Sequence, residues 1–237
     1  MSFTARDVIE SVSRVLFDVD NIRWPLPEML DHINDAIRMV ATIKPNACSE
    51  TRTIGLVAGT LQTLPDECTV LSRVTRNMIV AHDAPGGPVG GDAIRMVSGR
   101  ELMDAYFPGW QSDDTMFGPK VQHAIYDLAD PRHFYVIPGN DGTGQIEAIV
   151  GVIPDALTVT GDPNIIASYG DITVPLRDPY RAPVEDYTAF RAFSKDQGIP
   201  ASEARAAKHL AAFQTAMQAI AAAEGATAVT SASAKGA

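Results

Sequence analysis

Residues 51–65 read TRTIGLVAGTLQTLP, and here the hydrophobic period of the chain changes. Polar and apolar residues alternate on both sides of Ala58-Gly59-Thr60, a triplet whose composition is turn chemistry between two β runs. Upstream the spacing is helical. Residues 4–19 predict an amphipathic helix, with Thr4 as cap, Asp7 three residues on, and Val8, Val12, Val15, Leu16 and Val19 on one stripe. After the turn DNIRWPLP, Pro27 opens a second helix to about Ile43, with Leu26, Leu30, Ile33, Ile37 and Val40 at helical spacing and a stop at Lys44-Pro45.

Downstream the β character persists through TVLSRVTRNMIV (69–80), gives way to the Gly/Pro-rich loop AHDAPGGPVGGDA (81–93), and is interrupted by one short helix for which Ser98 and Glu101 form a capping box. VQHAIYDL, HFYVIP and QIEAIVGVIP are three further strand-like runs between residues 121 and 154, the last two joined by GNDGTG, a hairpin loop by composition. Residues 155–172 carry no clear pattern. Helical spacing returns after Pro183 with Val184, Tyr187, Phe190 and Ser194 and a stop near Gly198. Pro200 then opens a last, alanine-rich helix to about Glu224, with Leu210, Phe213, Met217 and Ile220 at i, i+3, i+7 and i+10. The expected class is α+β: a bundle of N- and C-terminal helices (1–48 with 176–224) and an inserted antiparallel β module (49–175).

Composition narrows function before any motif does. With 46% apolar residues over 237 positions the chain buries a real core, and a net charge of -10 without a Lys/Arg cluster opposes a grip on nucleic-acid phosphates. Cys48 and Cys68 stand in no metal or redox spacing and are read as reduced thiols. MSFTARDVIE lacks the basic and apolar regions of a leader, and no run reaches the ~18 apolar residues of a membrane span, so no membrane partner is expected.

No reaction announces itself. The histidines, at 32, 82, 123, 133 and 209, are dispersed, and only His82 with Asp83 and His123 with Asp127 suggest a carboxylate-tuned imidazole. APGGPVGGD lacks the Gly-Lys-Ser/Thr of a phosphate loop, and GNDGTG lacks the ligand series of a calcium loop. There is no nucleophile elbow, Cys48 has no charged helper beside it, and Asp127, Asp130, Asp162 and Asp171 are not paired by spacing alone. Tyr180, Tyr187, Phe190 and Phe193 read as core rather than as a stacking platform. Arg177, Arg181, Arg191 and Lys195 are balanced by Asp178, Glu185, Asp186 and Asp196. No catalytic residue, metal or cofactor is therefore assigned.

The order of these pieces resembles the head-to-tail adaptor, or connector, proteins of tailed bacteriophages. PEMLDHINDAIRMVATIKPNA followed by TIGLVAGTLQTLPDECTVLSRVTRN is similar to the family's second helix and its L-V-A-G-T-x-Q-x-L-P hairpin. AIRMVSGRELMDAYFPGW resembles the family's A-I-R, short helix and Pro-x-Trp ending, and YDLADPRHFYVIPG its D-P-x-x-F-Y-V-x-P strand. LRDPYRAPVEDYTAFRAFSKD resembles the segment that opens the penultimate helix, although Val184, Thr188 and Phe193 replace commoner choices and the run before it is long.

The resemblance implies a virion structural protein without enzymatic activity, assembled in the host cytoplasm and placed at the head-tail interface. It implies contacts with a portal protein, with neighbouring adaptor subunits in a twelve-fold ring set by the portal, and with a tail or nozzle protein below, while genomic DNA passes through the lumen. The alternatives are another ring-forming tail or head-completion protein, and a carbohydrate- or peptide-binding β module for which Trp24, Trp110, Tyr106 and Phe107 are the aromatic candidates. The last stretch, GATAVTSASAKGA (225–237), is expected to be an extended C-terminal arm. With Val229 as its only sizeable apolar side chain it cannot build a core, whereas Ala226, Thr227, Ala228, Val229, Thr230, Ser231, Ala232 and Ser233 suit a narrow groove or a sheet edge on a neighbour.

Overall fold

In the computed structural model, which describes residues 2–97, 99–112, 114–195 and 199–233 (225–233 as backbone only), Thr4 caps the first helix, α1 (Ala5–Leu16). Its hydroxyl accepts from Asp7 N–H at 3.2 Å while the Asp7 carboxylate accepts from Thr4 N–H at 2.8 Å, the reciprocal box expected from the sequence. Val8, Val12 and Leu16 are buried as expected, but Val15 and Val19 are not: the helix ends when Phe17 turns left-handed (φ 57°), which throws Val19 out of the stripe. α2 (Leu26–Ile43) begins one residue before Pro27 and stops at Lys44-Pro45. Asp18 organises the connection, its carboxylate accepting from the N–H groups of Ile22, Arg23 and Trp24, each at 3.0 Å.

The chain divides into two compact units, Met1–Ala47 with Pro154–Ala237, and Cys48–Ile153. The first holds α1, α2, α4 (Arg181–Ser194) and α5 (Pro200–Ser233), with α3 (Arg100–Tyr106) in the second. α4 packs against α1, α2 and α5. Tyr180, Tyr187 and Phe193 are buried there and Phe190 is half-buried, so the aromatic stripe is core. Phe213 stacks edge-on to Tyr187 at 5.1 Å, and Trp24 donates from its indole to Ala192 O at 3.0 Å.

Residues 154–175, grouped by sequence with the β module, pack instead on the helices. Ala5 N–H donates to Ile172 O at 2.8 Å, Val174 N–H to Phe3 O at 3.0 Å, and the Asn34 amide closes both hydrogen bonds to the Leu157 backbone. The helical unit supplies the polar partners that the backbone of an irregular segment needs, and no periodicity in residues 155–172 betrays this.

The second unit contains two four-stranded sheets. Its strands are β1 (Ser49–Gly55), β2 (Gly59–Thr63), β3 (Cys68–Val80), β4 (Val89–Ala93), β5 (Arg95–Val97), β6 (His123–Tyr126), β7 (His133–Asn140) and β8 (Gln145–Val152). The sheet orders are β1-β8-β3-β4 and β2-β7-β6-β5, antiparallel except for the parallel pair β5 and β6. Neither expected hairpin forms. β1 and β2 lie in different sheets, as do β7 and β8. One long ribbon, β1–β2 against β7–β8, bends at residues 56–58 and 141–144 and so serves both sheets.

The Gln62 amide fixes the bend: its oxygen accepts from Val57 N–H at 2.8 Å, and its nitrogen donates to the oxygens of Val57 at 2.9 Å and Gly59 at 3.0 Å. On the facing segment, Asn140 Oδ1 accepts from Gly142 and Gly144 N–H. Gly59 (φ 108°) and Gly142 (φ 92°) take backbone conformations that side chains resist. The short helix α3 (Arg100–Tyr106) opens after Gly99, so Glu101 is its second residue. Ser98, its expected cap, lies outside the described residues.

Candidate interaction surfaces

Among the described residues, many of the titratable groups pair with one another or with the backbone. The carboxylate partner of His82 is Glu147, 3.3 Å away, and not Asp83. The His82 Nδ1 lies 2.8 Å from the Thr53 hydroxyl. Glu147 is 7% exposed, and bonds from Arg76 at 2.7 Å and Thr75 at 2.6 Å hold its carboxyl below the usual range, the Arg76 guanidinium contributing most. His133 pairs with Asp130 and His209 with Asp186, both at 2.9 Å. Asp127 caps a turn through Ala129 N–H, and Asp162 does so through Asn164 N–H. His32 is buried in α2, where desolvation pushes its pKa down. Both thiols are buried, and burial pushes Cys48 up to about 11. Among the described residues no group of three or more His, Cys, Asp or Glu is placed to hold a metal ion, and no helix is long and apolar enough to cross a membrane.

Of the four cations expected to be balanced locally, only Arg181 pairs on its own helix among the described residues, with Glu185 at 2.9 Å, and Asp196, an expected partner, lies outside them. The others tie segments together: Arg191 reaches Asp35 on α2 at 2.9 Å, Lys195 reaches Glu28 at 2.7 Å, and Arg177 reaches Glu224 on α5 at 2.6 Å. Lys44 closes on the same Glu224 carboxylate. These two cations, Lys44 first, hold the Glu224 carboxyl below its ordinary range.

The clamp marks a boundary on α5. Ala206, Phe213 and Met217 are buried before it, and beyond it the backbone continues as helix to Ser233. The segment Ala226–Ser233 is therefore helical in the single chain where an extended arm was expected, and residues 234–237 lie outside the described residues. Alanine is the strongest helix former, and a single glycine at 225 costs only about 1 kcal/mol.

The β unit carries the second surface. Three of the four aromatic candidates, Tyr106, Phe107 and Trp110, converge with Met116 and His123 around an apolar cavity of about 660 Å³, while Trp24 is buried in the helical unit. Trp110 forms the floor: it is 8% exposed, donates to Asp104 Oδ1 at 2.9 Å and meets the Tyr135 ring edge-on at 5.5 Å. Tyr106, Phe107 and Met116 form the lip, 74%, 63% and 65% exposed. The His123 Nδ1 is buried in the wall without a hydrogen-bond partner, and Asp127 bonds the Ala129 N–H instead. Sequence spacing placed the aromatics on one short stretch, but Met116 and His123 join them only through the fold.

The family model of the SU10 adaptor protein matches residues 3–234. The chain belongs to the SU10 adaptor protein family. None of the curated proteins compared with it matches. The SU10 adaptor is a structural protein of bacteriophages, a virion component that works by contact with other virion proteins, and its family is not one of enzymes. The match covers both units, including the bend at 56–58, the aromatic cavity and the whole of α5. Two features of the adaptor stand out: an apolar cavity with an exposed aromatic lip, and a helix whose backbone runs on past the Glu224 clamp to Ser233.

Proposed function

We propose that this adaptor forms the ring that joins the portal to the tail and leaves a channel for DNA passage. The family match over residues 3–234 carries the reading. The charge supports it: a subunit of net charge -10 offers DNA few of the cationic contacts by which proteins hold phosphates, so a lumen walled by such subunits lets the duplex slide. A twelve-fold ring set by the portal is the expected symmetry, with a tail or nozzle protein beneath and assembly in the host cytoplasm. Repeated head-to-tail contact between identical subunits closes a ring when the rotation permits.

In this reading the segment from Ala226 to Ser233 is the portal-docking arm. Its small side chains enter a narrow groove, and Val229 with its flanking threonines suits pairing along a strand edge. The Glu224 clamp fixes where the arm leaves the body. Density for the chain in a map of the virion tests the assignment: direct contact with the portal is required, and a position elsewhere in the tail assigns the chain to another ring-forming tail or head-completion role. Deletion of residues 225–237 is expected to leave the fold intact and to abolish stable head-to-tail joining; normal joining by the truncated protein refutes the arm.

A further inference from the structure

Asp141-Gly142 is the one Asp-Gly step in the chain, and no Asn-Gly step occurs. This dipeptide has a chemistry of its own. The Gly142 amide nitrogen attacks the side-chain carboxyl carbon of Asp141, the amide proton and the carboxyl hydroxyl leave as water, and a five-membered succinimide closes. Water then reopens the ring. Addition at the side-chain carbonyl restores aspartate, whereas addition at the main-chain carbonyl breaks the original peptide bond and leaves isoaspartate, with the backbone running through the former side chain. The product has the mass of the starting chain, and water is the sole co-reactant. Glycine in second place favours closure, because it has no side chain to obstruct the attacking nitrogen and turns freely.

Asp141, Gly142 and Thr143 are exposed, and they lie in the bend that carries the ribbon from one sheet to the other. In the folded turn both reacting atoms are held. The Gly142 N–H donates to Oδ1 of the buried Asn140 at 2.8 Å, and the Asn140 amide is anchored in turn by donating to Gly118 O at 3.0 Å. Asp141 Oδ1 accepts from the Thr143 hydroxyl at 2.6 Å and from Thr143 N–H at 2.9 Å. Those two bonds, the hydroxyl's first, hold the Asp141 carboxyl below its ordinary range. It therefore stays ionised, and a carboxylate has no hydroxyl to lose. The facing half of the bend closes on the same turn: Leu56 N–H donates to Gly144 O at 2.9 Å, and the Ala58 nitrogen lies 3.5 Å from where a Cβ on Gly142 would stand.

We propose that Asp141-Gly142 is a latent isoaspartate site that the folded bend keeps closed, so that opening of the bend is recorded there as a permanent change in the backbone. The reaction then runs through the open fraction of the bend, and its rate follows local opening. Its consequence falls on the same place. Isoaspartate adds a methylene to one of the two segments that make the bend and draws the Gly142 N–H away from Asn140 Oδ1. A virion component is not renewed once its particle is built, so the closed turn protects the bend for the life of the particle.

The test incubates the full chain near neutral pH and counts isoaspartate at position 141 by peptide mass spectrometry with electron-transfer fragmentation, which separates the two isomers of equal mass. The folded chain is expected to isomerise at least about thirty-fold more slowly than the same chain held unfolded in urea. Thr143→Val removes the hydroxyl bond at an exposed position and is expected to raise the folded rate about two-fold or more, and Gln62→Leu, which frees the facing segment, about ten-fold. Circular dichroism checks that both variants are folded, and their rates in urea should match that of the unsubstituted chain. A folded rate equal to the rate in urea overturns the proposal. So does an unchanged folded rate in either variant, or isoaspartate accumulating at other aspartates as fast as at Asp141.

Discussion

Replacing Gln62 by leucine tests whether the sheet-to-sheet bend is held by one amide. Gln62 is 2% exposed and makes three hydrogen bonds to the backbone of Val57 and Gly59, all lost in the variant. Each contributes about 0.5–1.5 kcal/mol net, and a stranded buried backbone group costs a further ~1–3 kcal/mol. Val57 is itself 60% exposed, so water reaches part of the vacated backbone and the total falls at the low end, about 2 kcal/mol. That corresponds to a roughly 30-fold rise in the opening equilibrium.

Hydrogen exchange of the full chain, followed on peptides from β1–β2 and β7–β8, reads this directly, with the helical unit's peptides as internal control. Gln62→Glu sharpens the test. The carboxylate still accepts from Val57 N–H but faces two carbonyl oxygens without a proton to offer, so burial and repulsion raise its folded pKa. The penalty is therefore expected to be smallest below the unfolded carboxylate value of about 4.3 and to grow as pH rises through the raised one. A change under roughly three-fold in Gln62→Leu, or equal acceleration in both units, refutes the account of the bend.

Three further outcomes follow from the helical unit. Glu224→Gln removes a partly exposed clamp, for which about 0.2–1 kcal/mol per pair is expected, and faster exchange at residues 218–224 with the α4 contacts unchanged is the signature. Because the Glu224 carboxyl is held below its ordinary range, its stabilisation is complete above the unfolded value of about 4.3 and fades as pH falls through the lower folded one. His32 has the opposite chemistry: desolvation, reinforced by Arg191 and opposed by Glu28, Asp35 and Asp31, favours its neutral form. The helical unit is thus expected to lose stability as pH falls below about 6.5, and urea titrations of His32→Gln should show a flatter dependence between there and the depressed value. Phe213→Ala, at a side chain 2% exposed between α5 and Tyr187, is expected to cost about 3–5 kcal/mol, read as the loss of a cooperative thermal transition in the helical unit.

What the sequence shows of this fold depends on the range of each interaction. The Thr4–Asp7 box, the stop at Lys44-Pro45 and the buried stripe of α4 are local and legible. The alternation around Ala58-Gly59-Thr60 reads the same whether two strands fold back on each other or pass onto different sheets. The deciding partner of β1 is β8, and Ser49 pairs with Gly151, far along the chain. Val19 looks like core by period because periodicity does not say where a helix stops; the left-handed turn at Phe17 does. The cavity was half legible: Tyr106, Phe107 and Trp110 are near neighbours in sequence, but the wall that makes them a cavity comes from β6 and β7.

The end of α5 shows how one composition supports two readings. Small side chains were read as a poor core and therefore as an extended arm, yet the same alanines make the best helix, and the backbone remains helical to Ser233. The preference is shallow. From Gly225 onward, Thr227, Val229, Thr230, Ser231 and Ser233 each lower helix propensity by up to about 0.7 kcal/mol and Gly225 by about 1 kcal/mol relative to alanine. Residues 218–224 are strong helix formers except Ile220, so the run of penalties begins where the Glu224 anchor ends. A helical end of this composition has little propensity to spare, and a partner that supplies backbone hydrogen bonds can redirect it without disturbing the part of α5 that holds Phe213 and Met217. For the proposed portal-docking arm, helicity in the free chain is then a resting state compatible with an extended bound one, and Glu224 with Gly225 marks the point at which the two diverge.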